Sequence, residues 1–176
     1  MARWTFEPGH TAAEFCVRHM MVTYVRGHFK NIHGTLEYDP DDPVSATVEV
    51  EISAGELWTG EPERDEHLRS GNFLDVAHHP SITFKSTTIE RVAGNEFKVT
   101  GDLSIRGIVR AVILHVHQMG TWKSPYGDTR TGFTAQAVIN RHDFDVNWNA
   151  QMENGGIVVG TDVMITVDAE AIRIEP

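Results

Sequence analysis

Residues 46–52 read A-T-V-E-V-E-I and set a pattern that most of the chain repeats. Val48, Val50 and Ile52 alternate with polar residues, which is typical of a β-strand with one face in a core and the other in water. The same period of two recurs at 96–105, 111–117, 129–139 and 162–173, with shorter examples at 13–19, 28–38 and 81–90. About eight strands in sequential hairpins predict an all-β fold, either a closed antiparallel barrel or a sandwich.

One segment interrupts the alternation. Residues 58–80 read W-T-G-E-P-E-R-D-E-H-L-R-S-G-N-F-L-D-V-A-H-H-P and predict a short helical insertion near residues 60–76. Thr59 is the expected N-cap and Gly71 the expected stop. The apolar turn that begins at Phe73 is expected to dock on the sheet, so the insertion would close or line one part of it.

The composition narrows the functional class. The chain has 176 residues and a formal net charge of -10, so it repels phosphate backbones and anionic lipid surfaces, and we expect no nucleic-acid partner. A single cysteine, Cys16, forms no intrachain disulfide, which favours a reducing compartment. The N-terminus lacks a signal peptide's apolar core, and no run approaches the roughly 18 apolar residues of a membrane span. We therefore expect one cytoplasmic domain over 1–176 without stable membrane insertion.

Five blocks of residues occur in a characteristic order. They are H-T-A-A-E-F-C-V-R-H (His10 to His19), R-G-H-F-K-N-I-H-G (Arg26 to Gly34), R-D-E-H-L-R-S-G-N-F-L-D (Arg64 to Asp75) followed by H-P-S-I-T-F-K-S-T (His79 to Thr87), G-D-L-S-I-R-G (Gly101 to Gly107) and I-N-R-H-D-F (Ile139 to Phe144). In this order they resemble the YceI-like family of polyisoprenoid-binding, lipocalin-like bacterial proteins. The resemblance covers essentially the whole chain.

Four positions depart from the family pattern. Thr11 replaces a usual Ser, Leu74 a second Phe and Ser104 a Thr, and these are conservative changes. Asp145 stands where a Gly is expected, which leaves the conformation of loop 145–156 open.

The resemblance implies a closed antiparallel barrel of about eight strands, lipocalin-like, that binds, sequesters or transports one isoprenoid lipid. The lipid would be a polyprenyl chain or an isoprenoid quinone. A barrel of this size is just wide enough to be filled by side chains or to hold one small ligand. Small residues on inward faces would either leave room for that ligand or pack against neighbouring aromatic rings. These residues are Gly101, Ala135, Ala137, Ala169 and Ala171.

The predicted ligand-binding residues are mostly apolar, with a polar contact to the head group from His19 or Arg64. They are Phe15, Val17, His19, Phe29, Val48, Val50, Arg64, Phe84, Leu103, Leu114, Phe133, Phe144 and Trp148. No catalytic residue, metal ligand or cofactor is predicted besides the bound isoprenoid lipid. The sequence leaves a homodimer open, because edge exposure and patch size are not visible in it.

Several of these residues have two interpretations. His19 either contacts a head group or is a core histidine bonded to a backbone carbonyl. Arg64, with Asp65 and His67 in the same helical turn, forms either a head-group clamp or an ion-pair network that ties the helix to the barrel. Trp148 is either a lid over the interior or a permanent cap on one end.

Two rival functions remain at the level of sequence. His115 and His117 share one strand face, as a metal would require, but the opposite face carries the better candidates for the interior, so we expect both histidines to face solvent. A lipid-modifying, metal-assisted enzyme would need further convergent ligands, for which no motif is present. The other rival is a stress-related interaction protein with a filled barrel.

Overall fold

The computed structural model describes residues 1–175, which form ten strands, one α-helix and four short 3-10 turns. The strands are β1 Ala2–Phe6, β2 Ala12–His19, β3 Thr23–Phe29, β4 His33–Tyr38, β5 Thr47–Ser53, β6 Ser81–Ala93, β7 Glu96–Ile105, β8 Ile108–Lys123, β9 Thr129–Asn140 and β10 Val159–Arg173. The helix α1 is Pro62–Arg69, and the 3-10 turns are Pro8–His10, Pro43–Ser45, Ala54–Glu56 and Arg141–Phe144. No helix among these residues is long and apolar enough to cross a bilayer.

All ten strands belong to one antiparallel sheet that closes into a barrel. The order β1-β4-β5-β6-β7-β8-β9-β10 returns to its start because β1 also pairs with β10. The strand β10 pairs with β2 along Val159–Asp168 and with β1 along Ala171–Arg173. The pairs β1–β4 and β2–β3 are thus two halves of one interrupted hairpin. The barrel has eight strand positions, which confirms the predicted closed antiparallel fold.

The two interruptions explain where the predicted strands differ from the observed ones. The predicted strand 28–38 is broken, because Asn31 adopts a left-handed conformation with φ 55° between β3 and β4. A left-handed residue cannot continue a pleated strand. The strands β1 and β3 were not predicted: β1 has only five residues, and β3 carries Gly27 on its inward face, where alternation would require an apolar side chain.

The helix lies within the predicted insertion and ends just before the predicted stop at Gly71, but its N-cap differs from the prediction. Glu61, not Thr59, is the N-cap, and its side chain makes no capping bond. The backbone N–H of Thr59 donates to Asp65 Oδ1 (2.9 Å), and the Thr59 hydroxyl donates to the same oxygen. Ser70 ends the helix in an extended conformation, and its N–H and hydroxyl both donate to the carbonyl of His67.

One end of the barrel is covered by the segments between β5 and β6 and between β9 and β10, and we call it the helix end. Phe73 is buried there with Phe144 and Val146 and packs on the inner ends of the strands, so the predicted docking of this turn is confirmed. At the opposite, far end, Trp4 and Tyr38 lie in a second buried cluster with Ala171. The barrel interior lies between these two clusters.

Candidate ligand cavity

The inward faces of the strands enclose a cavity of about 730 Å³ rather than a filled core. This volume lies within the range of about 300–1,000 Å³ that is usual for small-molecule sites. Alternation along β5 and β8 supplies much of the wall, including Val48, Val50, Val112, Leu114 and Val116. Their polar neighbours face outward, so the period of two directly creates an apolar interior inside a charged exterior.

The structure places all the predicted ligand-binding residues on the cavity wall. Phe15, Val17, His19, Phe29, Val48, Val50, Arg64, Phe84, Leu103, Leu114, Phe133, Phe144 and Trp148 all line it. They come from both ends and from strands on every side, so a ligand filling the space would touch most of them. Their contact with a ligand stays a prediction.

The small inward residues do not all serve the same purpose. Ala135 and Ala169 line the cavity and leave room in it. The space beside Gly101 is filled instead by Phe84, whose Cζ would lie 2.4 Å from a Cβ at position 101. Ala171 is fully buried against the cluster at the far end. Both interpretations therefore hold, each at different positions.

Charged and polar side chains of the cavity gather at the helix end. Arg141 Nε donates to the carbonyl of Gly160 (2.7 Å). A Cβ on Gly160 would lie 3.1 Å from Cβ of Arg18, so Arg18 and Arg141 lie on either side of Gly160. His19 pairs in register with Val159, whose carbonyl accepts from Arg141 Nη2 (3.2 Å). Among the described residues, the imidazole of His19 has no hydrogen-bond partner and is free to contact a ligand.

Arg64 is held by Thr59 rather than by an acidic partner. Its Nε donates to Thr59 Oγ1 (2.8 Å) and its Nη2 to the Thr59 carbonyl (3.0 Å). Asp65 accepts from the same threonine, so Thr59 links the two charged side chains without direct ion pairing. The network ties α1 to the segment that follows β5 through hydrogen bonds instead of the expected ion pairs, and it still leaves Arg64 on the cavity wall.

Arg141 is the most important residue that the sequence analysis missed. The residue is 4% exposed, and its guanidinium donates to four backbone carbonyls, those of Val146, Trp148, Val159 and Gly160. Burial lowers the pKa of the Arg141 guanidinium. The available signal was its position, a lone cation immediately after the apolar strand β9 in the I-N-R-H-D-F block.

Through these bonds Arg141 fixes the segment that crosses the helix end. Trp148 packs its ring against His67 (centroids 4.7 Å apart) and Phe73 (5.4 Å), while its carbonyl accepts from Arg141 (2.9 Å). The arrangement supports the permanent-cap interpretation of Trp148. Asp145, where a Gly was expected, takes the left-handed conformation itself, with φ 57°.

The far end holds the polar side chains of Tyr38 and Gln118 beside an apolar wall. Gln118 Nε2 donates to the phenol oxygen of Tyr38, and Phe133 meets the Tyr38 ring edge-on with centroids 5.7 Å apart. Burial raises the pKa of Tyr38, although its bond to Gln118 acts in the opposite direction. Phe133 was among the predicted residues, but Gln118 and Tyr38 were not, because their pairing spans 80 positions of the chain.

The candidate metal-ligating histidines lie outside the cavity. His115 and His117 both face solvent, as expected, and His117 Nδ1 bonds to the carboxylate of Glu96 (2.5 Å). Elsewhere in residues 1–175, Glu7, His10 and Glu170 bring ligand atoms within 4.8 Å of one another. Arg130 already pairs with Glu170, so this group is explained as an ion-pair network on the barrel exterior.

Known proteins of the same architecture allow the chain to be classified. Protein YceI of Escherichia coli O157:H7 is 33% identical over 162 residues, which covers 92% of this chain and 82% of that protein. Among solved structures, BcnA of Burkholderia cenocepacia superposes with a TM-score of 0.82 at 19% identity, covering 94% of this chain and 98% of BcnA. A polyisoprenoid-binding domain from Saccharophagus degradans superposes with a TM-score of 0.68 at 13% identity, covering 99% and 100% of the two chains.

The two structural likenesses show a shared fold, and the sequence likeness goes further. The family model described as the YceI-like domain matches residues 4–171, from β1 to the end of the barrel. The chain therefore belongs to the YceI-like family.

Proposed function

We propose that the protein binds one isoprenoid lipid, a polyprenyl chain or an isoprenoid quinone, inside the barrel and thereby sequesters or carries it. The observation that supports this most directly is the cavity of about 730 Å³, whose walls are mainly apolar along the barrel and carry the arginines and His19 at the helix end. A ligand with a long hydrocarbon chain and one polar head matches this division. The Saccharophagus degradans domain of the same fold is described as polyisoprenoid-binding.

The energetics favour a hydrocarbon chain in such a site. Each buried methylene contributes about 0.8 kcal/mol, so a five-carbon isoprene unit contributes roughly 3–4 kcal/mol before the loss of chain flexibility is counted. Ordering the chain offsets much of this gain. A few fully buried units are still sufficient for tight binding, and no covalent chemistry is needed.

The head group is expected at the helix end, near His19 and Arg64. Arg18, Arg64 and Arg141 line the cavity there, and none of them takes part in an ion pair formed by residues 1–175. Arg141 and Arg18 already donate to backbone carbonyls, and Glu63 adds a carboxylate to the wall, so Arg64 and His19 are the groups that can contact a head group. Both can donate hydrogen bonds, which favours a head group rich in hydrogen-bond acceptors. Quinone carbonyls and phosphate oxygens both meet this requirement.

Native mass spectrometry with organic extraction, on protein purified from its own host, tests the proposal. We expect a co-purifying lipid whose variants differ by the mass of one isoprene unit, and its fragmentation identifies the head group. An unliganded mass, together with no shift in melting temperature when quinones or polyprenols are added, would contradict the proposal.

A further inference from the structure

The barrel wall is incomplete between β8 and β9. Their ladder runs from Lys123–Thr129 to His115–Gln136 and ends there. Both strands continue towards the helix end: β8 to Ile108, paired only with β7, and β9 to Asn140, paired only with β10. The gap, which we call the slit, extends over roughly 13 Å of β9 and 23 Å of β8 at about 3.3 Å per residue.

Only single side chains separate the cavity from solvent along the slit. Val112, Ile139, Phe144 and Ile165 line both the cavity and a groove on the outer face of β8, β9 and β10. Phe144 is 1% exposed and stands on the short turn Arg141–Phe144, not on a strand of the sheet. The side chain that closes the slit can therefore change rotamer without breaking a pairing between strands.

The outer rim of the slit carries a row of three exposed apolar side chains, flanked by the charged residues Lys98, Arg110 and Asp143. Ile113, Val138 and Met164 are 43%, 64% and 41% exposed, and Val138 pairs in register with Met164 across β9 and β10. Such a row of exposed apolar side chains could bind a hydrocarbon chain on the outside of the barrel, next to the slit.

We propose that the slit is a lateral entrance, through which the hydrocarbon chain of the ligand passes between β8 and β9 when Phe144 swings aside. This inference rests on the proposed binding of an isoprenoid lipid. Parting the strands here breaks no inter-strand ladder hydrogen bond, whereas parting any fully laddered pair does. Trp148 and Phe73 cover the helix end. A lipid that enters through the slit does not have to displace them.

A disulfide across the slit tests the entrance. Continuing the β8–β9 register by two residues places Ile113 opposite Val138, so the test variant is Ile113→Cys/Val138→Cys, made with Cys16→Ala to remove the native thiol. The matched control is His115→Cys/Gln136→Cys, the last laddered pair of the same strands. The probe is geranylgeraniol carrying an anthraniloyl fluorophore, for which equilibrium affinity and stopped-flow uptake and release are measured, oxidised and reduced.

Oxidation of the slit pair should slow uptake and release by about tenfold or more, as expected for a blocked gate, while the affinity stays nearly unchanged. Reduction should restore both rates, and the control pair should show no change. Equal rates in the oxidised and reduced slit variant, with the disulfide verified by intact mass, would overturn the entrance.

A second variant does not depend on disulfide formation. Phe144→Leu replaces the side chain that closes the slit with a smaller one, so uptake and release should both accelerate. Unchanged rates in the folded variant would also contradict the proposed entrance. Saturable binding with unaltered rates would refute the entrance alone. Absence of saturable binding by the unmodified protein would refute the proposed function and the entrance together.

Discussion

Phe15 lies directly over Gly27, its partner in the pairing of β2 with β3, and occupies the space that a side chain at position 27 would need. A Cβ on Gly27 would lie 2.4 Å from Cζ of Phe15 and 2.7 Å from Cγ2 of Thr59. The ring of Phe15 also packs against Phe29, with centroids 5.7 Å apart. The missing side chain at position 27 thus sets the position of two aromatic residues on the cavity wall.

Gly27→Ala should destabilise the protein by about 1–3 kcal/mol, because the added methyl group forces Phe15 from its rotamer. Phe15→Leu removes the clashing Cζ atom, so the double variant should lose less stability than the sum of the two single changes. Urea unfolding of all four proteins measures the coupling. Strict additivity would contradict the packing described.

Gly55→Ala is the matched control for that substitution. A Cβ on Gly55 meets no atom within 4 Å, and the residue is not in the left-handed region. We expect a change within about 1 kcal/mol, with a gain from the reduced entropy of the unfolded chain.

Filling the cavity should abolish ligand uptake without unfolding the barrel. Ala135 and Ala169 both line the cavity, so Ala135→Phe/Ala169→Phe places two rings in space that the ligand would use. We expect the co-purifying lipid to be lost and the melting temperature to be retained. Gln136→Phe adds the same ring on the outer face of β9 and should leave the lipid bound. Lipid content by mass spectrometry decides between these outcomes.

Replacing Arg141 should loosen the segment that covers the helix end. Arg141→Met leaves four backbone carbonyls without their donor, which should cost about 2–4 kcal/mol in the free energy of unfolding. Limited proteolysis should then cleave within 145–158, and the near-ultraviolet signal of Trp148 should weaken. Arg110→Met, at an exposed position of β8, is the control and should have neither effect.

The stability of the far end should depend on pH through Asp128. Bonds from Arg130 and then from Ser124 hold the pKa of the Asp128 carboxyl at about 2. The unfolded value is near 3.9, so the stabilisation is complete above about pH 4 and is lost as the pH falls towards 2. Asp128→Asn should therefore lower the melting temperature at pH 7 and converge with the unmodified protein near pH 2.

Ser124→Ala removes the bond that lowers the pKa of Asp128 less than Arg130 does, and provides a graded comparison. Its melting temperature should fall by less than that of Asp128→Asn, over the same range of pH. A difference between Asp128→Asn and the unmodified protein that stays constant from pH 7 to pH 2 would show that the carboxyl is not stabilised as described.

The alternation of residue types predicts the inward faces well, because a period of two is a fixed property of a strand and needs no knowledge of its neighbours. This is why Val112, Leu114 and Val116 lie on the wall while His115 and His117 face solvent. The closed barrel itself was expected from the spacing of the hairpins and from the family resemblance.

Other features depend on contacts that no local pattern encodes. The buried Arg141 acquires its role from carbonyls up to 19 residues away, and Gln118 meets Tyr38 across 80 residues. The slit arises where β8 and β9 each keep one neighbour and lose the other, and nothing in their alternation changes at that point. The N-cap was misassigned because Thr59 turns its hydroxyl to Asp65 instead of to the helix backbone.

The strand β10 is the only described strand that pairs with three others, joining β9 on one side to both β1 and β2 on the other. It also follows the other nine strands in the chain, so β1 and β2 are synthesised long before the strand with which they pair. Pairings between residues so distant in sequence are slow to form. Until β10 is available, the edges of β2 and β9 have no partner and are open to pairing with other chains, so the barrel cannot close before β10 has formed.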